Sequence, residues 1–216
     1  PPFSYQHSFR FLINEDIILN YLKKTILPNA VIEDFFTKVR CFLLREYSNN
    51  ISEREHNTLI ERFLVSLSHQ CFLNEYLWHQ TVEELSNIEL IKEKVQKKIA
   101  NKEEILPEHL LLLSTYKSLN EYDTLSQYLF ENKQNQNPDI KEIITIQIIE
   151  PLVEKKVAKT IKMITPIENK ISLKVQEQYE RHPYPRWKKP NMSTRMSYHD
   201  HIAGRISPNI IKGLKL

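Results

Sequence analysis

The chain has 216 residues and a mass of 25.8 kDa, which is enough for one domain or one and a half, built on a single hydrophobic core. It contains only two glycines, Gly204 and Gly213, so no glycine-rich phosphate loop of the Rossmann or Walker type can be written within it. The two cysteines, Cys41 and Cys71, are too widely spaced for a zinc site and too few for a disulfide framework, and they favour a reducing, cytoplasmic setting. No apolar run approaches the length of a membrane span.

Charge is distributed unevenly along the chain. The 30 Lys and Arg residues against 27 Asp and Glu residues give a net charge of +3, but residues 188–216 carry six basic residues and one acid, a balance of +5. The rest of the chain is then close to neutral, as expected of an ordinary solvated surface. The basic tail is therefore the electrostatic anomaly of this sequence.

Apolar residues recur at helical spacing along most of the chain. We predict five amphipathic helices in the first 131 residues, over 30–44, 52–71, 81–99, 110–116 and 125–130. The second and third each open with a capping box, Ser52 with Glu55 and Thr81 with Glu84, in which two side chains satisfy amides of the first turn. The Asn- and Gln-rich residues 132–138 are predicted to form a loop.

Residues 140–161 allow two interpretations, because their many isoleucines are β-branched and would also suit a strand. The helical spacing of apolar residues continues to Ile161, which favours helix, with Pro151 in the first turn of a new helix after a kink or break. A last helix is predicted over 171–180. The fold class is therefore all-α, an irregular helical bundle or short α-solenoid of about seven to eight helices with an extended C-terminal tail.

Neither a metal site nor a catalytic residue is predicted. His69 and Cys71 are two positions apart on one helix and so point to different sides, and the cluster His199-Asp200-His201 lacks a third spaced ligand. A nucleophile motif of the G-x-S-x-G type is impossible with two glycines nine positions apart.

Two polar residues interrupt an apolar helix one turn apart, Gln70 and Asn74. A buried amide costs free energy unless it is hydrogen-bonded, so the pair predicts a buried polar network that joins helices, with ligand contact as the alternative. We expect Asn74 to be buried and bonded to the backbone of an adjacent helix or of the loop before Thr81. Glu75 should be more exposed.

The segment from Tyr179 to Trp187 combines prolines, aromatic residues and arginines. Two prolines fix an extended path of about three residues per turn, which places Arg181, Tyr184 and Trp187 on one side of the segment. Aromatic and arginine side chains are the residues that commonly anchor protein interfaces. We predict that this docking strip for a neighbouring domain uses Tyr179, Pro183, Tyr184, Pro185, Arg186 and Trp187. The alternative is that the strip folds back onto the helical body and terminates the last helix.

Residues 178–187 resemble the Q-Y-E-E-N-P-Y-P-R-W signature of bacterial class I S-adenosylmethionine-dependent methyltransferases associated with tetratricopeptide repeats. The segment Q-C-F-L-N-E-Y at 70–76 is similar to that family's Q-C-F-I-N-E-Y, and residues 149–152 to its E-P-L segment. Val39-Arg40 followed by Leu43-Leu44 resembles its L-R-x-x-L-L helix. The likeness covers about residues 11–187.

The resemblance implies that residues 1–182 are a helical domain and that 183–216 are the docking strip and a basic linker that lead to a catalytic domain absent from this chain. S-adenosylmethionine would bind that downstream methyltransferase domain, which would be the partner of this chain, and the chain alone would hold no cofactor and catalyse nothing. The alternative is a stand-alone helical adaptor for another protein, separable by looking beyond Leu216 for a strand followed by a glycine turn.

A third function, nucleic-acid binding by the basic tail with Tyr198 or Trp187 stacked on bases, is disfavoured. Six basic groups in 29 residues are modest for such a role.

Overall fold

The computed structural model describes residues 13–27, 29–49, 56–161 and 169–181. All of them belong to the first of the two units into which the chain divides, Pro1–Arg186 and Trp187–Leu216. The helices of the described residues are α1 (Asp16–Lys24), α2 (Ala30–Asn49), α3 (Thr58–Leu73), α4 (Val82–Asn101), α5 (Pro107–Ser114), α6 (Asp123–Glu131), α7 (Pro138–Ile144), α8 (Glu150–Ala158) and α9 (Lys170–Arg181).

A π-helical segment, Thr145–Ile149, joins α7 to α8 without interruption, so the described residues hold eight helices when this run is counted once. Short 3₁₀ turns at Leu119–Glu121 and Lys133–Asn135 flank α6, and none of the described residues lies in a strand. The predicted all-α class is confirmed. The 3₁₀ turn at Lys133–Asn135 lies inside the predicted loop over 132–138.

A capping side chain marks the start of both α3 and α4. The predicted capping box that opens α4 is present, since the Thr81 side chain accepts the amide of Glu84 while the Glu84 carboxylate accepts the amide of Thr81. The predicted start of α3 is wrong: α3 begins at Thr58, because the Asn57 side chain accepts the amides of Leu59 and Ile60. The predicted Ser52–Glu55 box lies outside the described residues.

Helix α1 was not predicted. It is only nine residues long, and its buried contribution is limited to Leu19 and Leu22, while Ile17 is exposed. Two apolar contacts in nine residues are too weak a periodic signal to separate a short helix from a loop. Its packing against α3 nevertheless closes one side of the core.

Helix α3 lies at the centre of the fold. Every residue from Phe63 to Leu73 is buried, because α3 packs against α1, α5 and α7. Helices α2 and α4 pack against each other and both contact α5. A helix surrounded in this way must bury its polar side chains along with its apolar ones, and those side chains then need partners from neighbouring helices.

The ambiguous isoleucine-rich segment is helical. Ile140, Ile143 and Ile144 face the core from α7, and the π-helical turn changes the direction of the buried face before Pro151 enters the first turn of α8. Pro151 is the last buried residue of this run, and residues 152–161 are exposed. Pro151 lies in the first turn of α8 as predicted, but the chain passes from the π-helical segment into α8 without a break.

Candidate functional site

Arg40 on α2 is fully buried at the centre of a polar cluster. Its Nη2 atom donates to the His79 carbonyl oxygen at 2.7 Å and its Nη1 atom to the Thr115 carbonyl oxygen at 3.4 Å. The guanidinium lies 4.1 Å from the centroid of the Tyr116 ring and 5.8 Å from that of Trp78. These contacts connect α2 with the loop after α3 and with the end of α5.

Glu84 on α4 supplies the negative charge of this cluster. Its Oε1 atom lies 3.7 Å from Arg40 Nη2 and accepts a 2.6 Å hydrogen bond from the Tyr116 hydroxyl, while its Oε2 atom caps α4. Burial and the neighbouring carboxylate raise the pKa of Tyr116 above its ordinary value, against the opposing charge of Arg40. The Tyr116 hydroxyl therefore stays protonated and works as a hydrogen-bond donor.

Cys71 completes the Arg40 cluster, which we define as Arg40, Cys71, Trp78, Glu84 and Tyr116. Burial raises the pKa of the Cys71 thiol to about 11, even though Arg40 beside it favours the thiolate. A thiol of this kind is not a nucleophile at neutral pH. With Arg40 closed off from solvent, the cluster has the chemistry of a structural ion pair and not that of a substrate site.

The predicted polar pair Gln70 and Asn74 is buried, but each side chain has its own partners. With its nitrogen turned toward the neighbouring acceptors, the Gln70 amide donates to the carbonyl oxygens of Leu22 and Thr25 at 3.2 and 2.7 Å, which ties α3 to the end of α1. The Asn74 Oδ1 atom accepts the Tyr76 amide at 3.0 Å, in the loop before Thr81. The pair therefore forms two separate contacts, not one network.

Asn74 ends α3 in a turn that has no glycine. Glu75 and Tyr76 both have left-handed backbone angles, with φ of 54° and 58°. Non-glycine residues in this region cost free energy, and the Asn74 side chain offsets part of that cost by fixing the Tyr76 amide. Glu75 is more exposed than Asn74, as predicted.

A second buried polar cluster was not predicted. Gln147 in the π-helical segment donates through Nε2 to the Ser68 hydroxyl at 2.9 Å and to the Ser114 carbonyl at 3.2 Å, and its Oε1 atom accepts the Leu119 amide at 3.1 Å. The Ser114 hydroxyl also donates to Ser68 at 2.7 Å. One sequence signal was available, since Gln147 is a lone amide inside a run of isoleucines.

The N-termini of α3, α5 and α7 meet at a third polar group that was also missed, where Asn137 before α7 donates to Glu61. His56 lies with Nε2 3.1 Å from Glu61 and Nδ1 3.2 Å from Glu108, and both carboxylates are buried. Glu108 also accepts the Asn57 amide at 2.7 Å. Across the described ranges, no three His, Cys, Asp or Glu side chains are arranged to hold a metal ion, here or elsewhere.

The two last described helices present apolar side chains to solvent. On and just after α8, Val153, Val157 and Ile161 recur at four-residue spacing and are 51%, 50% and 70% exposed. On α9, Ile171, Val175 and Tyr179 recur at the same spacing, with Ile171 73% exposed. We call these two stripes the C-terminal apolar faces. Their regular spacing is that of helices that bury one side against a partner.

Of the predicted docking strip, only Tyr179 lies within the described residues, exposed on α9. Pro183, Tyr184, Pro185, Arg186 and Trp187 lie outside them, as does the basic tail. Among the described helices, none is both long enough and apolar enough to cross a membrane.

Comparison with known proteins identifies no relative: no family model, no curated protein sequence and no solved structure matches this chain.

Proposed function

We propose that this chain is the non-catalytic helical region of a bacterial S-adenosylmethionine-dependent methyltransferase, and that it packs against the catalytic domain that follows it. The observation that carries the proposal is the pair of C-terminal apolar faces on α8 and α9. The face on α9 ends at Tyr179, which is the first residue of the predicted docking strip. Regular apolar stripes in solvent favour a binding role for this end of the domain.

The positions of the resembling motifs add support. Leu43 and Leu44 are buried on α2 one turn after Arg40. Gln70 and Cys71 are fully buried in α3, and Pro151 is the last buried residue before the exposed residues 152–161. Motifs of this kind keep a fold intact and provide no catalytic group. A helical domain with its own core, followed by the C-terminal apolar faces, suits a region that packs against a catalytic domain and does not itself carry out the reaction.

The cofactor assignment follows from the same proposal. S-adenosylmethionine belongs to the downstream domain, and the 216-residue chain should not bind it. The two cysteines are free, one buried and one partly buried, which suits a cytoplasmic enzyme.

The test uses the polypeptide encoded after Leu216, supplied separately and titrated with this chain in a calorimeter. We expect that polypeptide to bind S-adenosylmethionine and to associate with this chain, whereas this chain alone gives no saturable heat with the cofactor. Val157→Asp should weaken the association at least tenfold. Ala158→Asp, an exposed neighbour that carries the same new charge off the stripe, is the matched control and should leave it unchanged.

Two results would overturn the proposal. Micromolar binding of S-adenosylmethionine to this chain would move the cofactor site into the helices. A downstream sequence without a strand and glycine turn would favour the alternative, a helical adaptor whose C-terminal apolar faces bind another protein.

A further inference from the structure

His109 occupies a buried position between three helices. It lies in the first turn of α5, is 3% exposed, and packs edge-to-face on Tyr47 of α2 with ring centroids 6.2 Å apart. Its Nδ1 atom is buried without a hydrogen-bond partner. This environment accepts a neutral imidazole and offers no acceptor for a second N–H.

The charges around His109 are also unfavourable to a cation. The charges of Lys98 and Lys94 on α4 oppose a positive charge on the imidazole, and burial, followed by the charge of Lys97, lowers the pKa of Lys94 itself. The adjacent Glu108 carboxylate uses its Oε1 atom to accept the Asn57 amide and to contact His56, and its Oε2 atom is buried without a hydrogen-bond partner. On α3, Glu61 is likewise paired with His56. Burial first, and then Lys98 and Lys94, lower the pKa of His109 to about 4.

We propose that His109 makes the helical body acid-responsive: protonation of its imidazole places an unpaired cation between α2 and α4 and loosens the packing of α5. The effect extends beyond the first turn of α5. The last residue of that helix is followed by Thr115 and Tyr116, which contact Arg40 through a carbonyl oxygen and an aromatic ring. Displacement of α5 therefore opens the Arg40 cluster as well.

The direction of the pH dependence follows from where the proton binds first. An unfolded chain takes up a proton on this imidazole near its ordinary pKa of 6.5, whereas the folded chain does so only near 4. The stability contributed by neutral His109 is thus complete above pH 6.5 and is lost as the pH falls toward 4. A gap of about 2.5 pH units corresponds to a roughly 300-fold decrease in the folding equilibrium constant.

The first experiment follows the imidazole resonances of the wild-type chain by NMR from pH 7.5 to pH 3.5. We expect His109 to stay neutral until the pH approaches 4, or until the chain unfolds. A His109 resonance that titrates near pH 6.5 in the folded chain would overturn the proposal, and this result requires no variant to fold.

The second experiment compares urea unfolding of the wild type and His109→Phe at pH 7.5 and pH 4.5. Phenylalanine keeps the ring against Tyr47 and cannot take up a proton. The fold-decrease in the folding equilibrium constant between pH 7.5 and pH 4.5 should therefore be at least ten times smaller for the variant than for the wild type. His79→Phe, the same substitution at an exposed histidine, is the matched control and should behave as the wild type does. Equal losses in the wild type and His109→Phe would contradict the proposal.

Discussion

The Arg40 cluster and the C-terminal apolar faces differ in which side chains they expose to solvent. Arg40, a cationic side chain of α2, is fully buried and is contacted from α4 and from the residues that follow α3 and α5. Val157 on α8 is apolar and half exposed. The ordinary rule that polar residues face water and apolar residues face the core is reversed at both places.

The contrast separates side chains that stabilise the fold from side chains that are available to bind a partner. A buried arginine is stable only because carbonyl oxygens, a carboxylate and two aromatic rings surround it, and those partners come from distant parts of the chain. An exposed valine stripe contributes nothing until another surface covers it. The first region therefore predicts large effects on stability, and the second predicts effects on association alone.

The largest effect should come from Arg40→Met. The change removes the cation and leaves the buried Glu84 carboxylate without its cationic partner, so we expect a loss of about 3 to 5 kcal/mol in the free energy of unfolding, measured by urea denaturation. The double variant Arg40→Met, Glu84→Gln should lose less than the single variant, because no uncompensated charge remains. A loss below about 1 kcal/mol for Arg40→Met would mean that the cluster does not hold these helices together.

Gln147→Leu tests the second buried polar cluster. Leucine fills the same space and leaves the Leu119 amide without its acceptor and the Ser114 carbonyl with one donor fewer. Loss of one partner of a buried hydrogen bond costs about 1 to 3 kcal/mol, and thermal or urea unfolding will detect it. Gln127→Leu on the exposed side of α6 is the control and should change stability by less than about 0.5 kcal/mol. Similar values for both would show that the π-helical turn is held by apolar packing alone.

Local patterns predicted the helices well where caps and apolar spacing coincide. The Thr81–Glu84 box marked α4 because both of its hydrogen bonds form within four residues. The start of α3 was misplaced because Ser52 and Asn57 are both good cap residues, and local spacing does not decide between them. The place of Pro151 in the first turn of α8 could be predicted, since proline restricts the backbone whatever surrounds it.

The polar clusters could not be predicted in the same way. Arg40 and Glu84 are 44 positions apart, so no local pattern pairs them, and an arginine on a helix is usually solvated. Glu61, Glu108 and His56 meet only because three helix N-termini converge. The burial of Gln70 and Asn74 was predictable from the apolar residues around them, whereas their separate partners depend on where α1 ends and how the loop after α3 turns.

Asn74→Leu should lower the free energy of unfolding by a moderate amount. The substitution adds apolar area but removes the acceptor for the Tyr76 amide in a turn with two left-handed residues. We expect a loss of about 1 to 3 kcal/mol in the free energy of unfolding, despite the gain in hydrophobicity. Asn20→Leu on the exposed side of α1 provides the comparison and should be nearly neutral. An unchanged or raised stability for Asn74→Leu would show that the turn does not depend on this amide.

The smallest effect on stability should come from Val157→Asp in the chain alone. Because half of the Val157 side chain already lies in water, the new carboxylate does not have to leave solvent, and exposed substitutions away from caps and cores usually change stability by less than about 0.5 kcal/mol. Ala158→Asp should give the same small change. The two variants should differ only in their affinity for a partner, because Val157→Asp places the charge on the apolar stripe and Ala158→Asp places it beside the stripe. A loss above about 2 kcal/mol for Val157→Asp in the isolated chain would mean that the stripe already packs within this molecule, and the contrast with the Arg40 cluster would disappear.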